Sequence, residues 1–136
     1  MKRFIIASHY KFAKGFKETL KFLTTIDDIY DISAYVEENE KPLENQIQQL
    51  FETFNPEDKV IVLTDILYGS VNQKFIPYMN EHVFIVTGAN IPIGLALILE
   101  NEENITYDFI DSLVNDARNN LIFVNSINVV QNDDDE

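Results

Sequence analysis

The chain has 136 residues, 46% hydrophobic and 24% charged, the usage of one globular domain rather than of a disordered segment. It has no cysteine and only two histidines, which excludes disulfides, thiolate nucleophiles, zinc–thiolate sites and a histidine-rich metal cage. Ten cations face 23 acids for a formal charge of −13, which argues against nucleic-acid binding and against an anionic membrane surface.

Met1-Lys2-Arg3 has the look of a secretory n-region, but the apolar stretch Phe4-Ile5-Ile6-Ala7 is shorter than the roughly 7–15 residues of an h-region. It reads instead as a buried parallel strand. Phe12, Phe16, Leu20 and Leu23 then form a helical stripe, with Lys14, Lys17 and Lys21 on the opposite face. The first 21 residues hold six cations and one acid, a net +5, while the remainder carries −18. This predicts one local positive surface on an acidic body. A short strand follows near Ile29 to Ala34.

Leu43, Ile47, Leu50, Phe51 and Phe54 repeat the helical spacing, with Pro42 in the first turn and Asn55-Pro56 at the stop. Val60-Ile61-Val62-Leu63 is continuous and mostly β-branched, a central strand. Ser70 to Met79 predicts a helix with Val71, Phe75 and Met79 inward, shortened or kinked by Pro77. Val83 to Val86 is a further buried strand, preceded by a surface residue, His82. Ile91 to Leu99 is an apolar helix after Asn90, far short of the ~20 residues that span a bilayer. Phe109, Ile110, Leu113, Val114 and Ala117 mark the last helix, and Leu121 to Val130 closes as a strand. Residues 1–130 form one domain, residues 131–136 an acidic, frayed tail. A soluble, cytoplasmic protein is expected.

Alternating strands and helices predict an α/β fold with a mostly parallel, doubly wound sheet and helices on both faces. Ligands then sit beyond the carboxyl ends of the strands, where the strand order reverses. Strand one ends in Ser8-His9 and strand three in Thr64-Asp65. In the order 2-1-3-4 these ends are neighbours, and Asp65 would hold one ring nitrogen of His9, leaving the other as a nucleophile. Ser70, after Gly69 at a strand-to-helix turn, would add a hydroxyl donor to free helix N–H groups, an anion site. Four glycines supply neither a Gly-x-Gly-x-x-Gly turn nor a P-loop, and no metal site or cofactor is expected. Plainer readings stand beside these: a structural His9, a turn residue at Asp65, and a capping box in Ser70-x-x-Gln73.

Three segments carry a resemblance: Ile5-Ile6-Ala7-Ser8-His9-Tyr10-Lys11-Phe12-Ala13, Val62-Leu63-Thr64-Asp65-Ile66-Leu67-Tyr68-Gly69-Ser70-Val71-Asn72, and Gly88-Ala89-Asn90-Ile91-Pro92. In order and spacing the chain resembles the IIA component of the mannose/fructose/sorbose-type sugar phosphotransferase system (PTS). That resemblance implies a phosphotransferase that takes a phosphoryl group from phospho-HPr on His9. It then passes the group to a IIB component, which serves a membrane permease. Asp65 is implied as the partner of the histidine and Ser70 as the phosphate-pocket serine. It further implies a homodimer made by exchanging an antiparallel last strand, here Leu121 to Ser126. A long apolar edge strand is a hazard for a monomer, which supports the dimer independently.

The chain departs from the family pattern at three positions: Tyr10 and Tyr68 replace glycines and Val71 replaces a proline. The two tyrosines predict a narrowed pocket, added hydroxyls beside it, or an aromatic docking surface. Three alternatives stay open on the sequence: a phosphotransfer subunit for a dihydroxyacetone kinase, a receiver-like signalling domain phosphorylated on Asp65, and a non-catalytic regulatory module.

Overall fold

A computed structural model describes residues 1–127. Four strands, β1 (Lys2–His9), β2 (Tyr30–Ala34), β3 (Lys59–Thr64) and β4 (Val83–Val86), form one parallel sheet in the order β2-β1-β3-β4. The expected fold class and strand order are therefore those observed. β1 and β3 are central and buried on both faces, which is why their sequences are continuous apolar runs rather than alternating ones.

The two faces are covered separately. Phe4, Ile6, Ile61 and Leu63 face α1 (Phe12–Thr24), α4 (Ile91–Leu99) and α5 (Tyr107–Arg118). Ile5, Ala7, Val60 and Val62 face α2 (Leu43–Glu52) and α3 (Ser70–Phe75). On α1 the buried residues are Ala13, Phe16 and Leu20. Phe12 and Leu23, expected in that stripe, are about half exposed. At 100° per residue the three buried positions share an arc of roughly 60°, and Phe12 and Leu23 fall at its rim. α1 and α4 touch at Gly94, where a Cβ would lie 2.7 Å from Phe16 Cε1.

α4 begins where its sequence says it should. The Asn90 side chain accepts from the Ile93 N–H at 2.9 Å, and Pro92 sits in the first turn. Asn90-Ile91-Pro92 is therefore a helix start. The other end of α4 is capped from a distance: Lys2 Nζ donates to the carbonyls of Leu97, Ile98 and Glu100 at 2.7–3.0 Å. Burial of this amine lowers its pKa, against the opposing pull of Glu100 and Glu102.

The helix from Ser70 is shortened at Pro77, as expected: it ends at Phe75 and tightens into a 3₁₀ turn at Ile76–Tyr78, because Pro77 has no N–H to continue the ladder. Three other expectations, on Met79, His82 and the C-terminal strand, are corrected. Met79 consequently points outward and is exposed. His82 is half-buried rather than a plain surface residue. Finally, residues 121–127 form no strand: 121–123 have no regular structure and Val124–Ser126 is a single 3₁₀ turn. A strand requires a ladder partner, and among the described residues this segment has none in its own chain. Residues 128–130 of the expected strand, and the acidic tail 131–136, lie outside the described residues.

The amino end of the sheet is held by a buried carboxylate. Asp58 accepts from the Asn55 N–H at 3.0 Å and from Arg3 Nε at 3.0 Å, and lies 3.2 Å from the Met1 amine. The Asn55 N–H, then Arg3 and the amine, hold its pKa below the usual carboxylate value. A depressed native pKa stabilises the fold above the unfolded value of about 3.9, and that stabilisation is lost as pH falls through the native value. Asp58→Asn is thus expected to lower the urea midpoint at pH 7 and to flatten its decline below about pH 4. Parallel pH profiles for the two proteins would contradict this.

Candidate active site

The chain leaves β1 toward β2 on one side and leaves β3 toward β4 on the other, so the ends of β1 and β3 flank the reversal point. Ala7 lies opposite Thr64 in the parallel register. Ser8-His9 and Asp65 therefore emerge side by side.

The turn after β1 is tightly specified. Ser8 is buried; its Oγ accepts from the Ala13 N–H at 2.6 Å and donates to the Tyr10 carbonyl at 3.3 Å. Tyr10 has φ +55°, a left-handed conformation that costs an L-residue roughly 1–2 kcal/mol, and its N–H donates to Ala34 O at 2.7 Å.

Asp65 and His9 meet as expected. Asp65 Oδ2 accepts from both the His9 backbone N–H and ring Nδ1, each at 2.9 Å, while Oδ1 accepts from the Ile66 N–H at 3.0 Å. A carboxylate only accepts, so Nδ1 donates to it, and in the neutral ring the lone pair is left on Nε2. The His9 side chain remains 35% exposed while Asp65 is 13% exposed, so the ring is anchored from below and open above.

Ser70 is the third expected residue, and its Oγ lies 3.4 Å from His9 Nε2. The capping-box reading does not hold: the N-cap of α3 is Gly69, with no side-chain cap, and Ser70 is the first helical residue. Gly69 has an ordinary extended backbone, φ −78°, so no unusual dihedral requires glycine there. The requirement is space: a Cβ at Gly69 would sit 2.6 Å from His9 Cε1. The loop between Asp65 and Gly69 is braced from beneath. Thr64 Oγ1 donates to Asn72 Oδ1 at 2.7 Å and Asn72 Nδ2 donates to Leu67 O at 3.0 Å, with Thr64 and Asn72 both buried.

A model of the family described as the PTS system fructose IIA component matches residues 3–114. The chain belongs to this family. No curated protein matches it in sequence. Among solved structures, it is similar to a Klebsiella pneumoniae subsp. pneumoniae MGH 78578 protein assigned as a candidate phosphoenolpyruvate-dependent sugar PTS permease. The two are 31% identical over 92% of each chain, with a TM-score of 0.84. It is also similar to the PTS IIA protein associated with the fucose utilization operon of Streptococcus pneumoniae, at 29% identity and TM-score 0.70, covering 91% of this chain and 93% of that one. A mannose/sorbose-specific IIA subunit from Enterococcus faecalis shares the fold at 15% identity, TM-score 0.75, over 97% of this chain and 99% of that one.

Within this IIA chain, two expectations about the surroundings of His9 change. The six early cations do not make one surface. Lys2 and Arg3 sit at the far end of β1, about 20–23 Å from His9 at 3.3 Å per residue, capping α4 and pairing with Asp58. Lys17 pairs with Asp31 at 3.1 Å. Lys11 lies next to the His9 turn, its Nζ 5.3 Å from the Tyr10 ring centroid. Nor do Tyr10 and Tyr68 close the pocket, since both are exposed. The aromatic ring beside His9 is that of Tyr35, 5.7 Å between centroids, with its hydroxyl 2.6 Å from Ser70 Oγ. Sequence reasoning missed Tyr35, because its proximity depends on the path of the chain after β2 and on no local spacing. Among the described residues, no helix is long and apolar enough to cross a membrane.

Proposed function

We propose that this IIA-family chain is a cytoplasmic phosphoryl carrier of a bacterial sugar PTS, accepting from phospho-HPr on His9 and delivering to a IIB component for sugar uptake through a permease. The observation that carries the reading is the pinned imidazole: Nδ1–H against Asp65 and Nε2 open to a docking partner. In the forward step the Nε2 lone pair attacks phosphorus on the donor's phosphohistidine. The donor N–P bond breaks and its electron pair returns to the donor imidazole. His9 gains positive character, which Asp65 offsets through Nδ1–H. Ser70 Oγ, beside Nε2, donates to a phosphoryl oxygen, and the first turn of α3 adds N–H groups that have no helical acceptor. Transfer to the acceptor histidine runs the same steps in reverse.

The receiver-like alternative is disfavoured by Asp65 itself, because its oxygens already accept from three N–H donors. The family match favours the sugar system over a dihydroxyacetone kinase partner. A homodimer by exchange of the C-terminal segment belongs to the same proposal. It is supported by the outer edge of β4, which pairs with no further strand among the described residues, and by exposed Leu121, Ile122, Phe123 and Val124. Sedimentation at monomer mass would remove that part.

The test is incubation with phosphoenolpyruvate, enzyme I and HPr, followed by intact-mass analysis. An acid-labile phosphoryl adduct is expected on the native chain and none on His9→Ala. Full labelling of His9→Ala would refute the acceptor.

A further inference from the structure

The phosphoryl-carrier reading gives no part to Tyr35, although its placement is costly and specific. Tyr35 is one of three non-glycine residues with positive φ among the described residues, at +66°. That conformation is held by one side chain: the Glu40 carboxylate accepts from the backbone N–H groups of Tyr35, Val36 and Glu37, at 2.5, 3.3 and 3.4 Å. Strained backbone kept in place by a dedicated contact is commonly found where a side chain must be aimed. Here the aimed atom is the phenol oxygen, 2.6 Å from Ser70 Oγ, which is in turn 3.4 Å from His9 Nε2.

A serine hydroxyl has one proton and rotates freely. When the phenol O–H donates to Ser70 Oγ, the serine proton can no longer point at Tyr35. It is left to point toward Nε2 in the free protein and toward a phosphoryl oxygen in the loaded one. Donation into Ser70 also polarises its O–H and strengthens what it gives onward. We infer that Tyr35 is a positioning residue for phosphoryl transfer at His9, acting through Ser70, and that Glu40 keeps it in place. The inference rests on the phosphoryl-carrier reading.

Tyr35→Phe keeps the ring and removes only the hydroxyl. It is expected to slow transfer from phospho-HPr about 3- to 10-fold, the loss of one hydrogen bond, with an unchanged urea midpoint. In a Ser70→Ala background the same substitution should have no further effect, and Glu40→Ala should slow the native protein but not the Tyr35→Phe variant. Independently of any donor, ¹⁵N NMR of His9 in the free protein should show Tyr35→Phe moving the Nε2 resonance more than Nδ1. A native transfer rate in Tyr35→Phe, or losses that multiply with Ser70→Ala, would overturn the inference while leaving His9 as acceptor. A native chain that takes up no phosphoryl group would remove the carrier reading, and an unmoved Nε2 resonance would then remove the Tyr35–Ser70 relay as well.

Discussion

Asp65→Asn is expected to cut the rate of phosphoryl uptake by about 10²- to 10⁴-fold, the range for losing a fixed electrostatic stabiliser or the correct imidazole tautomer. The reason lies in the count of donors around Asp65. The His9 backbone N–H, ring Nδ1 and the Ile66 N–H all point at this one side chain. A carboxylate satisfies all three. An amide has a single acceptor oxygen, so one orientation sets its NH₂ against the Ile66 N–H and the other sets it against His9. In the second case Nδ1 must become an acceptor, the proton moves to Nε2, and the nucleophile is lost. Even the first removes the negative charge that offsets a phosphorylated ring. Quench-flow labelling from phospho-HPr reads the effect; a rate within threefold of native would show that Asp65 only props up the turn.

Gly69→Ala is expected to be nearly as damaging, by a different route. Its backbone dihedrals suit alanine, so the fold should persist with a near-native urea midpoint. The new methyl would lie 2.6 Å from His9 Cε1 and 3.3 Å from Ile66 O. The imidazole must back away, and the Asp65 contact at 2.9 Å resists or breaks. A displacement of even 1 Å at a reacting atom costs on the order of 10²-fold in rate. Transfer should therefore fall by about that factor, with the Nδ1–H proton resonance shifted or broadened. Native transfer kinetics in the alanine variant would mean that the ring accommodates the methyl freely.

The central strands were legible because a strand covered on both faces must be a continuous apolar run, as in Phe4 to Ala7 and Val60 to Leu63. The start of α4 was legible because Asn90 and Pro92 are local signals with local partners. Phe12, Leu23 and Met79 were misplaced because periodicity gives a face, not how far its rim extends over the core, and because Pro77 ends α3 earlier than the apolar spacing does. His9 and Asp65 could be paired once strand order was known, since both follow directly from strand ends. Ser70 was ambiguous because Ser-x-x-Gln fits a capping box equally well, and only the geometry moves the cap to Gly69 and frees the hydroxyl. Tyr35 and its Glu40 clasp had no signature at all: the contact joins the loop after β2 to the start of α3, across the end of β1.

The grip of one carboxylate oxygen on both the main chain and the ring of the same residue has a consequence for traffic in two directions. It freezes the torsions between them, so the entropy of aligning the imidazole is settled at folding and not at each encounter. In the proposed carrier role, donor and recipient would then meet the same stereochemistry at nitrogen, whatever the shape of the surfaces that bring them there. On the proposed route, an imidazole aligned in advance lowers the barrier to gaining the group and to giving it up by the same amount.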